Sequence, residues 1–136
     1  MIKYRKMKLN DYSQLMKLYK STKGIVLYST DKKSCFEVFL KNNQKLCYVA
    51  LNDDDKVIGA IQGATDYKRG YIHHLVVCRE CRNNGIGKRL VLMVVNELKK
   101  MKLYDVVVLT DKKNVNAIKF YKKIGFGFLD VKFGYI

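Results

Sequence analysis

Apolar and basic residues alternate from Ile2 to Lys8, and that two-residue period predicts a first strand. The period then lengthens. Tyr12, Leu15, Met16 and Tyr19 follow the i, i+3, i+4, i+7 spacing of a helix face, with Asp11 placed to cap it. Cys35, Phe36, Phe39 and Leu40 repeat the pattern in a second helix that begins near Asp31. Cys47–Leu51 and Val57–Ala64 are apolar runs on either side of the polar turn Asn52–Asp55, which predicts a hairpin. Gly70–Val77 forms a fourth strand ending in Leu75-Val76-Val77. After the polar loop Cys78–Asn84, Gly85 opens a long helix striped with Leu90, Val91, Val94, Val95 and Leu98, with Lys99 and Lys100 at its negative end. Asp105–Thr110 reads as a buried fifth strand, and Asn114–Ile124 as a helix with stripe Ala117, Phe120, Tyr121 and Ile124, stopped by Gly125. Residues 126–136 have room for two short strands.

The order is strand, two helices, three strands, then strand and helix in alternation. It predicts a mixed α/β sandwich rather than a continuous doubly wound fold. The chain has no proline, and no repeat or linker interrupts it, so residues 1–136 are expected to form one domain.

Composition changes this picture little. No apolar stretch has bilayer length, and the start lacks the apolar middle of a secretory signal, so a soluble cytoplasmic protein is expected. The net charge of +15 raises nucleic acid as a partner. Only five of the 27 basic residues are arginine, however, and the lysines are spread along the chain, which favours a lysine-coated surface. Cys78 and Cys81 have metal-ligand spacing, but neither a second pair nor spaced histidines accompany them, so no metal is expected.

The most informative stretch runs from Leu75 to Lys88, where a strand enters a loop with Gly85 and Gly87 and the loop enters a helix. A helix N-terminus presents unpaired N–H groups and a positive dipole end, and glycine lets the backbone approach an anion closely. Arg82 and Lys88 add charge. The nucleotide P-loop is excluded, because Arg82 stands where its first glycine belongs and Arg89 where its Ser or Thr belongs. A dinucleotide fold would need a third glycine and an early βαβ unit.

Arg82-Asn83-Asn84-Gly85-Ile86-Gly87 resembles the Arg/Gln-x-x-Gly-x-Gly/Ala hallmark of the GNAT acetyltransferases. Asn114-Val115-Asn116-Ala117-Ile118-Lys119-Phe120-Tyr121 through Gly125-Phe126 resembles a second motif of that family, in the same order along the chain. The resemblance implies the GNAT fold, a mixed sheet of about seven strands flanked by four helices. It implies acetyl-CoA as cosubstrate and a primary amine as acceptor, with direct transfer in a ternary complex. Under it, backbone groups of Asn83, Asn84, Gly85, Ile86, Gly87 and Lys88, with Arg82, hold the CoA pyrophosphate. Leu75 and Val77 pair their main chain with the pantetheine arm, as an added strand would. A bulge splays the fourth strand from the fifth, and the N–H near Leu75 faces the thioester oxygen.

The resemblance also makes Tyr121 the acid that protonates the leaving thiolate, where the stripe alone would give it core packing. Asn114 contacts the cofactor or simply caps its helix. No carboxylate occurs in Gly70–Val77, so the base candidate is His73; by strand alternation it is expected to share a face with Tyr71, Leu75 and Val77, and His74 to face the other way. A plain surface or buried histidine is the competing reading of His73. A protein N-terminus or lysine is an alternative acceptor, a non-catalytic acyl-CoA sensor is an alternative function, and a homodimer is compatible with the fold. Nucleic acid and membrane are not expected as partners.

Overall fold

The computed structural model describes residues 1–136 except Asp130, Phe133 and Tyr135. Five strands form one sheet: β1 (Lys3–Lys6), β2 (Cys47–Leu51), β3 (Val57–Thr65), β4 (Gly70–Val77) and β5 (Val106–Val108). Their spatial order is their chain order; β1 to β4 run antiparallel, and β5 joins β4 in parallel. The helices are α1 (Tyr12–Lys20), α2 (Lys33–Asn42), α3 (Ile86–Lys100) and α4 (Val115–Ile124). The α/β class and the element order are as the hydrophobic pattern predicts. The two terminal strands expected over 126–136 are not among the described elements, and Asp130, Phe133 and Tyr135 of that stretch lie outside the described residues.

The period-two pattern sends alternate residues to opposite faces of the sheet. Tyr48, Ala50, Ile58, Ile61 and Ile72 pack beneath α3 and α4, against Ile86, Leu90, Val91, Val94, Leu98 and Tyr121. Cys47, Val49, Leu51, Val57, Ala60 and Val76 pack beneath α1 and α2, against Leu15, Tyr19, Phe36 and Leu40. Each helix buries the stripe its sequence supplies. A Cβ at Gly70 would run into Leu98, so this glycine lets α3 lie close over the start of β4.

Asp11 stands at the N-cap of α1 but does not cap it through its side chain. Its carboxylate instead accepts two bonds from the Arg5 guanidinium, both 2.8 Å, and one from the Lys8 backbone N–H at 2.8 Å. The cap was outcompeted because a bidentate, charge-assisted partner lies one strand away. This pair ties β1 to the start of α1.

Candidate active site

β4 carries one more residue than its partner. Gln62 pairs with His74 and Gly63 with Ile72, which leaves His73 without an opposite residue. Such a bulge shifts the phase of the strand. Gly70 N–H donates to Asp105 O at the β5 edge, 2.8 Å away, whereas Cys78 N–H donates to Ile58 O at the β3 edge, 2.7 Å away. The two residues are an even number apart and would face the same edge in a regular strand. Beyond the bulge, the odd-numbered residues therefore turn their main-chain groups away from β3.

On that edge β5 pairs only with Gly70, Tyr71 and Ile72. Among the described residues pairing stops at the bulge, so β4 beyond Ile72 presents an unpaired edge to the space beside β5. Leu75 and Val77 are the residues whose N–H and C=O groups lie along it. The splay that the resemblance implies and the exposure of the Leu75 and Val77 main chain share this one geometric origin.

The unpaired edge leads straight into the turn before α3. Arg79–Cys81 form a short 3-10 turn; Asn83 and Gly85 then take left-handed backbone angles, φ 65° and 76°. Gly85 is the N-cap of α3 and has no side-chain cap, which leaves the first N–H groups of the helix unmasked by any side chain of that residue. Asn84 turns its amide inward, donating to Cys81 O at 3.1 Å. Arg82 donates through Nε to Val77 O at 3.1 Å. Gly87 serves packing, because a Cβ there would meet the Phe120 ring of α4 at 3.1 Å. Arg82, Asn83, Asn84, Gly85, Ile86, Gly87 and Lys88 thus form one continuous cradle at a helix N-terminus, with Ile86 buried as its anchor.

Tyr121 projects from α4 into the core under β4, packed between Phe120 and Phe126 at ring separations of 5.1 and 5.2 Å. It is 5% exposed. Among the described residues its hydroxyl has no hydrogen-bond partner, and no side-chain oxygen or nitrogen is both sealed and unpaired. Burial pushes the phenol well above its usual range, so it stays protonated at neutral pH. Asn114 caps α4, its Oδ1 accepting from Ala117 N–H at 3.2 Å.

The bulge overturns the expected orientation of the histidines. His73 does not share a face with Leu75 and Val77, and His74 does not face away from it; both rings lie on the α1/α2 side. His73 meets Phe39 of α2 edge-on at 5.6 Å and stacks near Tyr71 at 6.2 Å. His74 packs on Tyr19 of α1 at 5.0 Å. Strand alternation failed here because the inserted residue resets it. Desolvation, then the neighbouring His74, hold the His73 pKa below its ordinary value, with Asp31 opposing.

Sequence reasoning missed the polar groups around this pair. His74 Nε2 lies 3.0 Å from Asp31 Oδ1, and Tyr19 accepts from Gln62 Nε2 at 2.8 Å inside the core. Only a lone polar residue, Gln62, inside the apolar run Val57–Ala64 hinted at a buried partner. The cysteines are free thiols, and Cys78 donates to Glu80 at 2.7 Å, which raises its pKa. No group of side chains suited to hold a metal ion occurs among the described residues, and no helix there is long and apolar enough to cross a membrane.

Residues 12–126 match the model of the Acetyltransferase (GNAT) family. The human N-alpha-acetyltransferase 30 is 32% identical over 96 residues, 67% of this chain and 26% of that protein. Its Schizosaccharomyces pombe counterpart is 30% identical over 99 residues, 69% of this chain and 65% of that protein. The chain thus spans about a quarter of the human relative. Among solved structures, the PaiA N-acetyltransferase from Thermoplasma acidophilum in complex with coenzyme A superimposes with a TM-score of 0.83 at 21% identity, covering 97% of this chain and 93% of that one.

Proposed function

Since the chain belongs to the Acetyltransferase (GNAT) family, we propose that residues 1–136 form a single cytoplasmic domain that moves an acetyl group from acetyl-CoA to a primary amine. The observation that carries this reading is the unpaired edge of β4 running from Leu75 into the helix N-terminus at Gly85. An extended arm with amide groups adds to that edge as a strand would, and its phosphates end at the cradle. No nucleophilic side chain is needed for direct transfer.

The residues divide the chemistry between the two faces of the sheet. The Leu75 N–H, on the unpaired edge, donates to the thioester oxygen as it gains charge. Tyr121, on the α3/α4 face, donates its proton to the departing thiolate sulfur. His73, on the α1/α2 face, takes the proton from the amine, directly or through water. With the acyl donor bound along β4 and its phosphates at the start of α3, the amine approaches from the α1/α2 face, and the nitrogen loses its proton on the side where the histidines stand. Asn114 uses Oδ1 for its cap, and its Nδ2 faces Gly24 of the connection between α1 and α2.

The names of the relatives favour the α-amine of a peptide over a small free amine. The test is release of CoA thiol from acetyl-CoA in the presence of amines, amino acids and unblocked or N-blocked peptides. Turnover with unblocked peptides and none with their N-blocked forms is expected. CoA-dependent thermal stabilisation without turnover on any acceptor would instead favour an acyl-CoA sensor.

A further inference from the structure

The connection between α1 and α2, residues 21–32, contains only the short 3-10 turn Ser29–Asp31. It is held to two separate parts of the molecule. At one end Gly24, with φ +92°, comes so close to α4 that a Cβ built on it would lie 2.8 Å from Asn114 Nδ2. At the other end Asp31 meets His74 on β4 at 3.0 Å, 43 residues away in sequence. The connection therefore passes from the start of α4, beyond β5, to the bulge of β4. It forms a strap across the α1/α2 side of the opening between the two strands.

Asp31 is built into this position. Its Oδ2 accepts the Tyr28 N–H at 2.8 Å, and its carbonyl accepts the Tyr12 hydroxyl at 2.9 Å. Its remaining oxygen, Oδ1, is the one that faces His74. The His74 ring is fixed in turn by Tyr19, which Gln62 holds from the sheet. The side chains of Asp31 and His74 are 16% and 13% exposed, so water competes weakly for the bond between them.

We infer that the His74–Asp31 pair is a latch that seats the 21–32 strap over the acyl-transfer opening, making His74 a positioning residue for the acceptor amine rather than a participant in proton transfer. The inference rests on the acetyltransferase reading for its substrate and on geometry alone for the latch. His73, which lies next to it on the same face with an exposed ring, is left to meet the amine. The strap forms the wall past which an acceptor enters, so loosening it weakens acceptor binding and leaves the acyl-donor cradle on the far face untouched.

The experiment compares His74→Phe, Asp31→Ala and the double variant in the full chain. Backbone hydrogen exchange is followed over residues 22–31, with and without CoA, and steady-state kinetics use an unblocked peptide. Each single variant should accelerate strap exchange about tenfold, the loss of one charge-assisted bond, and leave β2, β3 and α3 unchanged. The double variant should add nothing further, because the two residues form one interaction. Acceptor KM should rise about tenfold, with kcat and the CoA-induced thermal shift held. Unchanged strap exchange in the single variants, or additive effects in the double, would overturn the latch. Faster exchange with unchanged acceptor KM, or a fall in kcat alone, would overturn the positioning role. Asp31→Ala gives the same reading if His74→Phe does not fold. Absence of turnover with every acceptor counts against the acetyltransferase reading, while the exchange measurements still decide the latch.

Discussion

Arg82 reaches back to the strand it follows, its Nε donating to the carbonyl of Val77 at 3.1 Å. The bond folds the turn onto the end of β4 and sets the guanidinium beside the helix N-terminus. It also occupies one of the main-chain acceptors on the unpaired edge, so under the acetyltransferase reading a donor arm would take the Val77 N–H and share its carbonyl.

From this relationship follows the behaviour of the cradle toward CoA. CoA should raise the melting temperature, since a ligand bound to the native state alone stabilises by mass action. Arg82→Glu should abolish the shift by reversing charge and freeing the turn. Lys88→Glu should weaken it and leave the unliganded melting temperature near that of wild type, because the Lys88 side chain is on the exposed surface of α3. A full CoA shift in Arg82→Glu would remove the cradle from the anion-binding role.

Tyr121→Phe removes a hydroxyl that has no partner among the described residues, so its packing between Phe120 and Phe126 should persist. Turnover should fall about ten- to a thousandfold, with CoA affinity and melting temperature nearly unchanged. Wild-type kcat in this variant would return Tyr121 to core packing alone.

The depressed pKa of His73 predicts the shape of the pH profile. A general base works in its neutral form, so kcat/KM should climb with pH along a limb centred below about 6.5, the ordinary histidine value. His73→Ala should remove the limb. His74→Ala should move it upward, because the two rings share a face and the repulsion of a charged neighbour is lost. Profiles with two acceptors of different pKa make the check: a limb that tracks the acceptor and persists in His73→Ala would rule the histidine out as base.

Asp11 gives a stability prediction on the other side of the fold. It is 3% exposed and bonded to Arg5 and the Lys8 N–H. Burial opposes the charge, but the Arg5 and Lys8 bonds prevail and the carboxyl pKa is lowered. A depressed carboxyl stabilises the fold above its unfolded pKa of about 3.9, and that contribution disappears as pH falls through the lower folded value. Arg5→Ala strands the buried carboxylate and should cost about 3 kcal/mol at neutral pH, measured by urea denaturation. A cost below about 1 kcal/mol would mean that solvent already screens the pair.

The regular parts of this molecule were written in its periodicities. Cys47–Leu51 and Gly70–Val77 form strands with the bounds that the apolar runs indicate, and α3 buries Leu90, Val91, Val94 and Leu98 from its stripe. The cradle was legible because its chemistry is local: glycines, basic residues and a helix start lie within a dozen positions. The histidine face was not, since a bulge depends on how β3 pairs with β4 and leaves no mark in the period of either strand alone. The His74–Asp31 bond was hidden for a similar reason, as it joins residues 43 apart across a connection without periodicity. Val106–Val108 is shorter than its apolar run because, among the described residues, Gly70–Ile72 alone pairs with it.

That short attachment makes the sheet unequal. Four strands form a continuous antiparallel meander, while β5 is held along its β4 side by three residues. Among the described residues, the main-chain attachment of the part that carries Tyr121 and Asn114 is thus narrow, and side-chain packing of Tyr121 and Phe120 beneath the sheet supplies the rest. Under the acetyltransferase reading, a donor arm lying along β4 would fill the gap beside β5 and act as a splint. Slower backbone hydrogen exchange of Val106–Val108 with CoA bound is the expected outcome of that splint.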